Sequence, residues 1–180
     1  MVGAGGSGRT ALVVMGVAGC GKTTVSAALA ERLGWPVADA DDFHPPANVA
    51  KMRAGTPLTD KDRVPWLAAI REWLNQQDQD VVVTCSALRR TYRDVLRGAE
   101  PRVRFVHLSG SRELLTQRMG ARQGHFMPVA LLDSQLATLE PLQPDEDGVV
   151  IDIDASPEQI VDNALAQLGF SAGPEPGLLR

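Results

Sequence analysis

The stretch GVAGCGKT, Gly16 to Thr23, fits the pattern G-x-x-x-x-G-K-[S/T] in full. Its flanks have the form the pattern needs. TALVVM (10–15) is a short β-branched run stopped by glycine and reads as a buried strand. KTTVSAALAERL (22–33) reads as a helix, with Gly34 as its left-handed stop. A strand feeding a glycine loop and then a helix makes a phosphate cradle for a physical reason. Glycines let the backbone turn and approach an anion without a Cβ. Loop N–H groups and the helix N-terminus aim partial positive charge at it. Gly16, Val17, Ala18, Gly19, Cys20 and Gly21 form this cradle, continued by Lys22, Thr23 and Thr24. In such a loop the lysine reaches the β- and γ-phosphates, and the hydroxyl that follows ligates Mg²⁺. Those roles fall to Lys22 and Thr23, and the expected ligand is a nucleoside triphosphate.

Outward from the loop, strands and helices alternate. PVADAD (36–41) reads as a second strand and PPANVAKMRAG (45–55) as a helix closed by Gly55. TDKDRVPWLAAIREWLNQQ (59–77) is a longer helix with Thr59 as N-cap and Asp62 in its first turn. Pro65 fits only near the start of that helix. DVVVTC (80–85) is a strand, SALRRTYRDVLRG (86–98) a helix, VRFVHL (103–108) a strand and SRELLTQRMGARQ (111–123) a helix. GVVIDID (148–154) is a fifth strand. SPEQIVDNALAQLG (156–169) is a helix opened by Ser156, with Pro157 in its first turn and Gln159 closing a capping box. Such alternation, with strands apolar throughout, calls for an α/β fold: a parallel sheet with helices on both faces. Ligands in such sheets gather beyond the carboxyl ends of the strands, so the residues just after each strand matter most.

The bulk numbers narrow the class. A length of 180 residues suits one compact domain, expected over 10–169, with a glycine-rich flexible leader (1–9) and a Pro/Gly-rich flexible tail (170–180). The net charge of −4 argues against general nucleic-acid affinity. Two cysteines, Cys20 and Cys85, give no disulfide framework and point to a cytoplasmic protein. Arg9 followed by ALVVMGVAGC imitates a short signal peptide, but cleavage before Cys20 destroys the glycine motif. No run reaches the roughly 20 apolar residues of a membrane span.

The acceptor side is written after the second, third and fourth strands. In DADDFHP (39–45), Asp39 and Asp41 share a face in the extended register. Carboxylates facing a phosphate loop can orient water on Mg²⁺ or take the proton of an attacking hydroxyl. In the helix that follows the third strand, Leu88, Tyr92, Val95 and Leu96 form the core face. Ser86, Arg89, Arg90, Arg93 and Arg97 fall opposite. Ser86 and the first arginines begin at the ligand edge of the sheet, where at least one guanidinium is placed to grip a carboxylate. In RMGARQGHFMP (118–128), Arg118 and Arg122 share a helix face between loosening glycines. They read as a mobile lid over about 118–130 that excludes water and neutralises the transferring phosphoryl group. His125 is a lid or surface residue. His107, inside a strand, and Trp66 and Trp73, on one helix face, read as structural.

MGVAGCGKTT, DADDFHP, KMRAGTPLTDKDRVPWL, CSALRRTYRDVLR and RQGHFMP, in this order, resemble the small P-loop gluconokinase family, related in fold to shikimate and adenylate kinases. The resemblance covers about 12–168. It implies a nucleoside-monophosphate-kinase-like fold with a five-stranded parallel sheet and a mobile lid, commonly as a homodimer. It also implies ATP-dependent phosphorylation of D-gluconate at its 6-hydroxyl, feeding the pentose phosphate or Entner–Doudoroff routes. By resemblance, Asp39 supports the Mg²⁺ water shell and Asp41 is the base. His44, Arg63, Ser86, Arg93, His125 and Gln135 surround gluconate, with Arg89 among the carboxylate-binding candidates. Arg118 and Arg122 cover adenine and phosphates, and the loop from Asp154 through Ser156 and Pro157 lies on the adenine side. The residue types suit an open-chain polyol ending in a carboxylate: cationic donors at one end and a base at the other. Two rivals stand beside this reading. One is a kinase for another hydroxylated acid such as shikimate. The other is a P-loop nucleotide switch, against which stands the absence of an N-K-x-D motif.

Overall fold

The computed structural model describes residues 8–120 and 129–170. Strand β1 (Thr10–Met15) is followed by α1 (Lys22–Leu33), β2 (Val37–Asp39), a 3₁₀ turn (Ala40–Phe43), α2 (Pro46–Arg53) and α3 (Asp60–Gln76). Then come β3 (Val81–Thr84), α4 (Arg90–Arg97), β4 (Arg102–Ser109), α5 (Arg112–Gly120), α6 (Val129–Thr138), β5 (Gly148–Asp152) and α7 (Pro157–Leu168). The five strands form one parallel sheet in the order β2-β3-β1-β4-β5, as the alternation predicts.

β1 is the central strand, and its alternation builds two cores at once. Leu12 and Val14 join one buried cluster with Val25 and Leu29 of α1 and Ile160 and Val161 of α7. Ala11, Val13 and Met15 point the other way and pack with Trp66, Ile70 and Leu74 of α3 and Leu96 of α4. Val82 and Val83 of β3 divide in the same manner, which is why these strands read as unbroken apolar runs.

Local signals account for the helix ends. Thr59 accepts from the Asp62 N–H, and the Asp62 carboxylate accepts from the Thr59 N–H, a complete capping box at α3. Ser156 and Gln159 do the same at α7. Gly34 and Gly169 close α1 and α7 in the left-handed conformation.

Three expectations need correcting. Pro65 sits inside α3, past its first turn. The helix expected from Ser86 begins only at Arg90; Ala87 takes a left-handed φ of 45°, and Arg89 is extended. Residues 86–89 are therefore a loop at the carboxyl end of β3. The sequence pattern as read above holds no helix at 129–138, where α6 stands. Its buried Leu132 and partly buried Leu136, with Leu139 just beyond, carry the helical spacing that marks it.

Candidate active site

A cavity of about 320 Å³ opens beyond the carboxyl ends of β1, β2 and β3. Ala18, Gly19, Gly21, Lys22 and Thr23 line it from the glycine loop. Asp39 and Asp41 line it from the end of β2, and Thr84, Cys85 and Ser86 from the end of β3. Met119 of α5 and Gln135 of α6 complete the wall. A second cavity, about 170 Å³, lies on the other side of the same loop. Gly19, Cys20, Gly21, Thr24, Arg118, Pro157 and Ile160 are among its walls. Gly19 and Gly21 border both, so one elongated ligand can run across the loop from one space to the other.

The loop is shaped by contacts that tolerate little else. Gly19 has φ 83°, and a Cβ there would lie 2.6 Å from the Met119 Cγ. Gly21, φ 91°, caps α1 without a side chain, so the first-turn N–H groups remain for an anion. The Lys22 ammonium donates to the carbonyls of Gly16 (3.0 Å) and Val17 (3.2 Å), folding back over the loop. Gly16 N–H donates to the Ser86 carbonyl at 3.3 Å, which ties the loop to the end of β3. The Ala18 N–H donates to Gln135 Oε1 at 2.6 Å, so α6 reaches into the cradle itself.

On the opposite wall, Asp39 Oδ1 accepts from the Asp41 N–H at 2.9 Å, which fixes the turn that carries both carboxylates. Asp41 opens into the cavity, yet the protein crowding it and the charge of Asp39 raise its pKa above the ordinary 3.8; His44 and Lys22 pull the other way. His44 stacks on Trp66 with ring centroids 4.5 Å apart and 11° between planes. Its Nε2 lies 3.9 Å from Asp41 Oδ1. Burial lowers the His44 pKa, outweighing the pull of Asp41. Trp66 is core, as expected, and its Nε1–H also donates to the Ala40 carbonyl at 2.7 Å, pinning the turn beneath the carboxylates. Cys85 is buried, and burial pushes its thiol up to about 12, which disfavours the thiolate.

The arginines divide. Arg63 and Arg89 converge on one carboxylate, Asp60, at 3.6 and 3.3 Å. Tyr92 donates its hydroxyl to the same group, which holds Asp60 below its ordinary pKa. Arg93 is different. It was expected on the face opposite the core, among the gluconate ligands, but it is fully buried. Its Nε donates to Glu146 at 2.6 Å, its Nη1 to the Ala87 carbonyl at 2.9 Å and its Nη2 to the Pro141 carbonyl at 3.3 Å. The segment before β5 covers this flank of α4, and a helical wheel drawn on α4 alone cannot register a cover from distant sequence. Arg90, beside it, is braced by Asp94 and Asp145. Arg118 borders the second cavity and donates to the Ile153 carbonyl. Pro157 borders that cavity too, whereas the Ser156 side chain is engaged in capping α7. Arg122 and His125 lie outside the described residues. Sequence reasoning missed Thr84, Cys85 and Met119 as cavity walls; nothing in their local pattern marks them.

Comparison with known proteins shows the family. Residues 18–169 match the family described as Shikimate kinase. A gluconokinase of Gluconobacter oxydans (strain 621H) is 49% identical over 157 residues, 86% of this chain and 88% of that protein. The chain belongs to the gluconokinase family. The crystal structure of a gluconokinase from Sinorhizobium meliloti 1021 superposes with a TM-score of 0.83 at 48% identity, covering 90% of this chain and 93% of that one. An unliganded sugar kinase from Janibacter sp. HTCC2649 gives a TM-score of 0.84 at 50% identity, covering 91% of this chain and 96% of that one. Membership carries the P-loop kinase fold and a nucleotide-binding loop to this chain, in keeping with the sheet order and the cradle above.

Proposed function

We propose that the protein transfers the γ-phosphoryl group of ATP to the 6-hydroxyl of D-gluconate, yielding 6-phospho-D-gluconate and ADP. One observation carries the reading: the Lys22–Thr23 end of the phosphate loop and the Asp41 carboxylate are walls of the same cavity. A hydroxyl seated against Asp41 faces a phosphate chain lying on the loop.

Asp41 takes the proton of the 6-hydroxyl as its oxygen forms the new bond to phosphorus, and the bond to the ADP oxygen breaks in line. Lys22 and the loop N–H groups balance charge on the phosphates. Arg122, outside the described residues, has the proposed role of neutralising charge on the transferring group. Arg63 and Arg89, already gathered on the Asp60 carboxylate, supply donors of the kind that bind the gluconate carboxylate. Ser86 and Gln135 line the cavity that would take the polyol; His44, nearly buried beside Asp41, and His125, outside the described residues, complete the proposed set. Arg93 holds the loop that carries Ser86 rather than touching the sugar acid.

Mg²⁺ suits the donors present. The Thr23 hydroxyl and the Asp39 carboxylate are hard oxygen donors on facing walls of one cavity. Among the described residues no cluster of three or more His, Cys, Asp or Glu forms a closed cage. Thr23 and Asp39 would hold the ion, and it would supply charge neutralisation for the transferring phosphoryl group.

Among the described residues no helix is long and apolar enough to cross a membrane. A homodimer working in the cytoplasm, with its product entering the pentose phosphate route, completes the proposal.

Coupled ADP release tests it. Turnover with ATP, Mg²⁺ and D-gluconate, and a phosphate ester at C6, is the expected result. Turnover with shikimate instead, or ADP release that no acceptor stimulates, overturns it.

A further inference from the structure

Asn48 lies in α2, away from the phosphate loop, and is buried (3% exposed). Its Nδ2 donates to the Asp62 carbonyl at 2.9 Å and lies 3.3 Å from His44 Nδ1. The orientation of this amide is fixed. Turned over, its oxygen would meet the Asp62 carbonyl, an acceptor against an acceptor. Asp62 is itself held: its carboxylate accepts from the Thr59 N–H at 2.9 Å and from Lys51 at 2.8 Å, and its own N–H donates to the Thr59 hydroxyl. The nitrogen that faces His44 is therefore a donor, and His44 Nδ1 must be an acceptor. In a neutral imidazole the proton then sits on Nε2. An imidazolium would set two N–H donors against each other at Nδ1.

We infer that Asn48 is a positioning residue of the transfer reaction: it holds His44 in the tautomer that presents Nε2–H to the Asp41 side of the cavity. The stack on Trp66 fixes the ring plane, and Asn48 fixes which nitrogen carries hydrogen. The 3.9 Å between Nε2 and Asp41 Oδ1 then has a donor on one side and an acceptor on the other. A substrate hydroxyl seated beside this gap, within reach of both atoms, accepts from Nε2–H and is left with its own proton turned toward the base. Burial, which disfavours the charged ring, works in the same direction. The catalytic part of this inference rests on the kinase reading; the tautomer does not.

The test is long-range ¹H–¹⁵N correlation on the labelled full-length protein without ligands. The chain has 3 histidines, and the His44 signals are those lost in His44→Gln. A bare Nδ1 and a protonated Nε2 at neutral pH are expected. An Nδ1–H tautomer or an imidazolium overturns the inference. In Asn48→Asp, the carboxylate accepts where the amide donated, so His44 gains a proton at Nδ1. The kcat with gluconate falls about tenfold or more while KM for ATP holds. Asn48→Ser, too short to reach Nδ1, shows the same split of kcat from KM and serves if the aspartate variant fails to fold. Wild-type kcat in Asn48→Ser, or a wild-type tautomer in Asn48→Asp, overturns the positioning role. The predicted tautomer in a protein that does not turn over gluconate would instead overturn the proposed function.

Discussion

Arg93 and Glu146 form an ion pair 2.6 Å long with neither side chain exposed to solvent. The pair locks the segment before β5 onto α4, and Arg93 also holds the carbonyl of Ala87, in the loop that presents Ser86 to the cavity. Burial raises the Glu146 pKa, but the hydrogen bonds from Arg93 and the Gln143 N–H outweigh it and hold the carboxyl below its ordinary value. Removing one partner strands the other charge in the core, a loss of about 3–5 kcal/mol. Arg93→Ala or Glu146→Ala is expected to lower Tm by roughly 6–20 °C, read by calorimetry. The double variant Arg93→Met/Glu146→Leu should lose less than either. A gluconate ligand would behave otherwise: Tm near wild type with a raised KM for gluconate.

Ala87 offers a second check on the same loop. Its φ of 45° lies in the left-handed region, which costs a residue with a Cβ about 1–3 kcal/mol. Glycine adopts that region freely and gives back roughly 0.5–1 kcal/mol in chain entropy. Ala87→Gly is expected to raise Tm by a few degrees (about 2–4 °C per kcal/mol for a chain of this size). A fall in Tm would contradict the left-handed assignment.

Asp41→Asn separates catalysis from stability. As the base, Asp41 is expected to carry about 10²–10⁴ in kcat. Its folded pKa is raised by crowding and by Asp39, so the native state prefers the carboxyl neutral. Any stability from that preference is present below the ordinary value of 3.8 and lost as pH rises through the folded pKa. At neutral pH the ionised carboxylate is a liability that asparagine lacks. The ligand-free variant should therefore melt slightly higher than wild type at pH 7, with the gap closing below pH 3.8. The rise is small because the carboxylate opens into a wet cavity. In wild type, kcat/KM should fall on acidification above the ordinary carboxylate range, and that limb should vanish in the variant. A variant with wild-type kcat removes Asp41 from the base role.

The capping box of α3 titrates in the opposite sense. The Lys51 contact, then the Thr59 N–H, pull the Asp62 pKa down to about 2. Its contribution is present above 3.8 and lost as pH falls through about 2. Asp62→Asn should lower Tm at neutral pH and converge with wild type only near pH 2. Unchanged Tm at pH 7 would mean that the box adds nothing to the fold.

What the sequence announced was local. The phosphate loop is one contiguous motif with a strand before it and a helix after it. Asp39 ends β2 and Asp41 stands in the turn directly after it, and both capping boxes lie within four residues. What it hid was non-local. Arg93 looked solvent-facing because Glu146 is 53 positions away, and only the folded chain brings them together. The loop at 86–89 was hidden by a single left-handed alanine in a run of good helix formers. Asn48 carries no chemistry in isolation; its meaning comes from the Asp62 carbonyl and the His44 ring on either side of it.

The central claim is that a triphosphate on the loop and a sugar acid against Asp41 meet within one cavity. A crystal structure with Mg²⁺, a non-hydrolysable ATP analogue and D-gluconate tests it most directly. The gluconate 6-hydroxyl should lie within hydrogen-bond reach of Asp41 and in line with the γ-phosphorus, while Lys22 contacts the β- and γ-phosphates. Gluconate bound elsewhere, or bulk solvent between Asp41 and the γ-phosphate, would contradict it.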